Sequence, residues 1–211
     1  TSGRWFEFPT FVLTTAPDPR YGLIAYHNAL SSLGAATTAA PPGTRPSWWT
    51  WPLVDTWGQQ LLTDAPRRDD EFTGSWVRRY VALWRRRFHL QHFTVIIDSQ
   101  WQAILGSANP SNRFGGVSGM QRLVRELHAR GIKVLLWWPL WVIPSGSVGK
   151  VKADPTSTTF DSTLARQMAF MLGKGKEDLH VDGLKLDWGA LIPTAGHFSR
   201  PQLGVGAAAL L

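Results

Sequence analysis

The chain has 211 residues, a net charge of +7, twelve tryptophans and no cysteine. Without cysteine there are no disulfides and no thiolate metal sites, and no run reaches the ~18 uninterrupted apolar residues of a membrane span. The predicted elements therefore belong to a soluble globular protein with no membrane partner, and the N-terminus shows no signal peptide.

Residues 1 to about 45 form the first region. Phe11-Val12-Leu13 and Gly22-Leu23-Ile24-Ala25-Tyr26 are short, strand-like pieces separated by Pro17, Pro19 and Gly22, and they read as the end of a β-rich region. Ala35 to Pro46 is small, Pro-rich and aperiodic, and is expected to be a linker. From residue 46 to 211 the pattern changes to apolar β-type runs alternating with helical periods, which signals repeated β-α units and a parallel sheet.

The first run is Trp48 to Val54. A helix over about 71–90 follows, with Trp76, Val77, Tyr80, Val81, Trp84 and Phe88 on one face. Arg78, Arg79, Arg85, Arg86 and Arg87 fall outside that face and read as a solvated surface rather than a nucleic-acid site, since no nucleic-acid motif accompanies them. The second run is Phe93 to Asp98. A second helix carries Met120, Leu123, Val124 and Leu127 at i, i+3, i+4 and i+7, with Ser118 as the expected N-cap and Gly131 as the stop. The third run, Ile132 to Trp138, comes next, then a Pro/Gly/Ser loop, a helix expected to be capped by Asp161 or Ser162, and the fourth run from Gly183 to Trp188.

Four strands and three intervening helices amount to about half of a (β/α)8 barrel, which needs eight of each and ~250 residues. The fold class is thus α/β, a partial barrel of about four β/α units, and the chain reads as a fragment. Open sheet edges in such a fragment favour self-association.

In a parallel β/α barrel the C-terminal strand ends face the reaction centre. That rule selects Asp98 and Trp101 after the second strand, Trp137 after the third, and Lys185, Asp187 and Trp188 at the fourth. Lys185 and Asp187 are two apart and share a face. A carboxylate beside a lysine keeps its charge, as a nucleophile attacking an anomeric carbon requires, whereas a structural ion pair is the alternative. Indole faces stack on sugar C–H surfaces, although part of the tryptophan set belongs to the core.

The run Val181-Asp182-Gly183-Leu184-Lys185-Leu186-Asp187-Trp188-Gly189-Ala190-Leu191-Ile192-Pro193 resembles the nucleophile motif of glycoside hydrolase family 31, and Asp98-Ser99-Gln100-Trp101 is similar to that family's strand-two Asp-x-x-Trp. The segment Met120 to Trp137 resembles its helix, strand and pocket tryptophan, and the likeness spans roughly residues 46 to 195. The resemblance implies a retaining α-glycoside hydrolase with Asp187 as nucleophile. Asp98, Lys185 and Trp137 would then contact an α-linked oligosaccharide or glycoside, with Trp101 and Trp188 as further pocket walls; no cofactor or metal is called for. Ala190 stands where the family usually has Glu, and no Asp or Glu occurs from Trp188 to Leu211, so the acid/base carboxyl of a retaining mechanism is missing from this stretch. The α-galactosidase clan, which also uses a strand-four Lys-x-Asp, and a non-catalytic remnant that binds only sugar or a partner are the alternatives.

Overall fold

The computed structural model describes residues 18–33, 43, 45–62, 72–144, 151–188 and 198–199. The chain divides into two compact units, residues 1–49 and 50–211.

The first unit contains helix α1, Pro19–Ser32. Its Gly22-to-Tyr26 stretch is helical, which corrects the strand expected there; Pro19 stands at the first helical position, where its missing N–H costs nothing and its fixed φ suits the turn. Phe11-Val12-Leu13 and most of the expected linker lie outside the described residues.

The second unit is built on four parallel strands: β1 (Leu53–Asp55), β2 (Phe93–Ile97), β3 (Ile132–Pro139) and β6 (Gly183–Asp187), neighbours in that order. A short antiparallel pair, β4 (Val142–Ile143) and β5 (Val151–Lys152), follows β3. The helices are α2 (Trp57–Leu62), α3 (Gly74–Phe88), α4 (Gly116–His128) and α5 (Thr158–Leu172). The first run differs from expectation at its start: Ser47–Thr50 forms a 3-10 turn, and extended pairing begins only after Pro52, which has no N–H to give to a ladder.

Register assigns the two faces. Asp55 pairs with Ile96, Ile96 with Leu135, Leu135 with Gly183, and Trp137 with Lys185, so these residues share one face with the strand-end Asp187. The alternate residues Val54, Val95, Ile97, Val134, Leu136 and Trp138 lie on the other face and form the main core with Val77 and Val81 of α3, Leu123 and Leu127 of α4, and Met171 of α5. Arg79, Arg86 and Arg87 are exposed on the outer side of α3.

Two helix starts differ from expectation. Gly115, at φ 76°, occupies the N-cap of α4, three residues before the expected Ser118; the chain enters from a 3-10 turn, Asn112–Phe114, through a left-handed conformation that glycine adopts without cost. Helix α5 is capped by Ser157, whose hydroxyl accepts from Thr159 N, which leaves Asp161 in the first turn facing the helix dipole favourably. At the far end of α4, Gly131 turns the chain at φ 73°, and a Cβ there would lie 2.5 Å from the His92 ring.

Asp182, just before β6, accepts from His128 Nε2 at 2.6 Å, Lys133 Nζ at 2.7 Å and Val134 N at 2.9 Å. It thereby ties the start of β6 to α4 and β3. Burial opposes its charge, but these three donors win and hold the carboxyl at about 2.

Candidate active site

Three of the four parallel strands end in, or are directly followed by, an aspartate, and each is held by the same local device. Asp55 Oδ1 accepts from Trp57 N at 2.9 Å, Asp98 Oδ1 from Ser99 N at 2.7 Å, and Asp187 Oδ1 from Trp188 N at 2.7 Å. In every case the chain turns where it leaves the strand and offers a backbone N–H to the carboxylate. The second oxygen of each then points to a partner from another strand.

For Asp55 and Asp98 that partner is shared. Lys185 Nζ donates to Asp55 Oδ2 at 2.8 Å and to Asp98 Oδ2 at 2.6 Å. The lysine side chain is only 29% exposed, and burial disfavours its charge; the two carboxylates overcome this and push its pKa up. Asp98 is nearly inaccessible, and burial raises its pKa against the opposing pull of Lys185 and Ser99 N.

Asp187 is held differently. Its Oδ2 accepts from Trp137 Nε1 at 2.8 Å. That bond and the Trp188 N–H, opposed by slight burial and aided by the nearby Lys185 charge, lower its pKa. The lysine expected to neighbour Asp187 directly is instead bonded to Asp55 and Asp98, and an indole takes the place at Asp187. All these groups sit on the face opposite the main core.

The structure brings Asp98, Trp137, Lys185, Asp187 and Trp188, together with Trp57 and Ser99, around one cavity of about 90 Å³. Trp101 stands elsewhere: it is wholly buried in the core, and its Nε1 donates to the Trp137 carbonyl at 2.9 Å, so it buttresses the pocket wall from behind. Asp55 was absent from the sequence-derived set. The signal that finds it is its place at the end of the first strand, one residue beyond the apolar run that ended at Val54.

Supporting bonds lock the strand ends together. Thr56 Oγ1 accepts from Asp98 N at 2.9 Å, Gln60 Nε2 donates to the Ser99 carbonyl at 3.2 Å, and the Tyr80 hydroxyl donates to the Asp55 carbonyl at 2.9 Å. Residues 189–197, which hold Ala190, Ile192 and Pro193, lie outside the described residues. Among the described residues no group of His, Asp or Glu has the arrangement of a metal site.

Comparison with solved structures returns glycosidases at low identity. An α-galactosidase from Lactobacillus brevis has a TM-score of 0.46 and 16% identity, over 65% of this chain and 20% of the other. A cycloalternan-degrading enzyme from Trueperella pyogenes has a TM-score of 0.43 and 16% identity, over 76% of this chain and 27% of the other. The same enzyme with a covalent intermediate gives 0.44 and 17%, over 77% and 26%. The chain spans about a fifth to a quarter of the length of these proteins. No protein-family model and no curated protein matches the chain in sequence.

Proposed function

We propose that this chain carries the nucleophile side of a retaining α-glycoside hydrolase site of the family 31 type, with Asp187 as the attacking carboxylate. The observation that carries the reading is the double clamp on Asp187. Two N–H donors keep it ionised and aimed into the cavity, as a nucleophile requires, while Lys185 in the same pocket is engaged by Asp55 and Asp98. The strand-four Lys-x-Asp is common to family 31 and the α-galactosidase clan, whereas the Ile192-Pro193 that follows and the strand-two Asp-x-x-Trp support family 31.

In this reading Asp98, Lys185 and Asp55 form a charged floor. Their outer lone pairs and protons bind hydroxyls of the sugar whose anomeric carbon faces Asp187. Trp137 has two roles, since its N–H holds the nucleophile and its ring walls the pocket. A barrel-type curl of the sheet is supported by the Lys185–Asp55 bond. These residues lie on outermost strands about three strand spacings of ~4.8 Å apart along a flat sheet, a gap the two side chains bridge only if the sheet bends around them.

A retaining cycle also needs a second carboxyl to protonate the leaving oxygen. Among the described residues the carboxyls lining the cavity are Asp98 and Asp187, and Asp98 is bonded to Lys185. A substrate whose leaving group needs no proton therefore isolates the attack by Asp187 from the work of the second carboxyl. A 2-fluoro α-glycosyl fluoride tests this: the expected result is one covalent sugar per chain, on the peptide bearing Asp187, and none with D187N. A label on another residue, or none at any concentration, overturns the nucleophile assignment. In the latter case the pocket is that of a sugar-binding protein.

A further inference from the structure

Charge is sorted between the two ends of the second unit. Helices α3, α4 and α5 lead into β2, β3 and β6, and the strands are parallel. The C-terminal ends of these helices therefore lie at the strand starts, opposite the Asp187 pocket. The pocket end carries Asp55, Asp98 and Asp187 with Lys185 among them. The opposite end carries Arg86 and Arg87 of α3, Arg125 of α4, Arg130 just after α4, and Lys174 and Lys176 just after α5, all of them exposed.

The carboxylates near this end are mostly engaged. Glu126 accepts from Arg78 Nε at 2.6 Å, Asp178 from Gly175 N at 2.7 Å, and Asp182 from His128 and Lys133, while Glu177 stands exposed next to Lys176 in sequence. Cations in the last turn of a helix complement its dipole, and that effect fades beyond the turn. It accounts for Arg86, Arg87 and Arg125. Arg130, Lys174 and Lys176 lie past the C-caps Ala129 and Gly173, so the dipoles leave them unexplained.

An apolar group accompanies the cations. Phe88, the last residue of α3, directly follows Arg86 and Arg87 and is 54% exposed. Its ring is steadied by stacking on Trp84, with centroids 4.5 Å apart. A single nucleic-acid strand is held in a basic groove with open stacking faces. Here the cations are spread over three separate helix ends, and one face of the ring is already taken. Spread cations beside an exposed aromatic ring match the headgroups and upper acyl region of an anionic bilayer.

We propose that this end of the second unit docks on an anionic lipid surface, where the arginines and lysines meet the charged headgroups and Phe88 enters between them. The contact is peripheral, and it replaces the sequence-based expectation of no membrane partner, which rested on the lack of a spanning run. The same surface repels the aspartate-bearing end, so the Asp187 pocket faces solution. None of the pocket's residues takes part, and the docking holds whatever Asp187 does.

The test is co-sedimentation of the full chain with vesicles of phosphatidylcholine alone and of phosphatidylcholine with phosphatidylserine at about three to one. Binding is expected to the second kind only, and to fade as salt rises from about 0.05 M to about 0.5 M. R86Q/R87Q is expected to weaken it about tenfold or more, whereas R79Q/R166Q, which removes equal charge from exposed positions in the bodies of α3 and α5, leaves it within about twofold. If R86Q/R87Q loses its native circular dichroism, K174Q/K176Q gives the same reading. Equal weakening by the two arginine pairs, equal binding to both kinds of vesicle, or no binding to either overturns the docking end. Tighter binding to a DNA duplex than to the anionic vesicles also overturns it and assigns the end to nucleic acid.

Discussion

Trp137 Nε1 donates to Asp187 Oδ2 at 2.8 Å, across the junction of two adjacent parallel strands. An indole is a donor only, so this bond favours the ionised carboxylate and cannot be shared with a protonated one on the same terms. The bond thus links the shape of the pocket wall to the charge of the candidate nucleophile.

W137F keeps the ring and removes the donor. Asp187 sits below its ordinary value, first because of Trp137 and second because of Trp188 N, so loss of the first donor moves its pKa upward. Labelling requires the carboxylate, and the acid limb of its pH–rate profile is expected to move to higher pH in W137F. A limb at the wild-type pH shows that the indole N–H does not tune Asp187.

K185M leaves Asp55 and nearly inaccessible Asp98 without their shared cation. Removing one partner of a buried pair costs about 3–5 kcal/mol when the remaining charge stays in place, and partial exposure of Lys185 and Asp55 reduces this to about 2 kcal/mol. Asp98 can escape by protonation. Its folded pKa lies above the unfolded value already and rises further without the lysine, so the loss in urea melts is larger at pH 7 than at pH 4.5. An equal loss at both pH values contradicts the assigned pairing.

Asp182 has the opposite sign. Its folded value of about 2 lies below the unfolded carboxyl, so its contribution is fully present above pH ~4 and disappears as the pH falls through about 2. For a shift of this size the contribution is about 2–3 kcal/mol. D182N is expected to lose that amount at pH 7 and to show a flatter acid limb in a stability–pH curve. A D182N curve parallel to the wild type assigns the acid sensitivity to other groups.

Two glycines near the helix starts make a matched pair. A Cβ on Gly119 would lie 2.0 Å from the Phe114 carbonyl oxygen, whereas one on Gly74 meets only the Arg78 guanidinium at 3.4 Å and Leu123 at 3.8 Å. G119A is expected to destabilise by about 2 kcal/mol or more, through displaced backbone, and G74A to stay within about 1 kcal/mol of wild type. Chemical denaturation of both variants decides; comparable stability for the two would mean that the 3-10 turn before α4 is not held against it.

The four strands, the helices between them and the shared face of Lys185 and Asp187 were readable from sequence because these follow from local periodicity. Phe93 to Ile97 is largely apolar and wholly buried, and Met120, Leu123, Val124 and Leu127 all reach the core. What was not readable depended on neighbours distant in sequence. Lys185 has a carboxylate two residues away but bonds to Asp55 and Asp98 instead, because tertiary register and not spacing decides which acid its ammonium meets. Trp101 carries the same pocket-wall signature as Trp137, and only packing separates the buttress from the wall. The misread helix α1 has Gly, Ile and Tyr in its second turn, residues whose local preference is weakly helical, and the rest of the helix outweighs them.

The Lys185 bridge also bears on how the chain folds. It joins residues 130 and 87 positions apart, which are among the most distant contacts in sequence that the sheet makes. Loop closure over such distances is slow and comes after local structure. The helices and the β2–β3 pair can form earlier, but the charged floor exists only once β1, β2 and β6 are all in register. Under the proposed function, competence to bind a sugar is thus a late event in folding, and a bound sugar would protect β1 and β6 from opening far more than it protects α3 or α4.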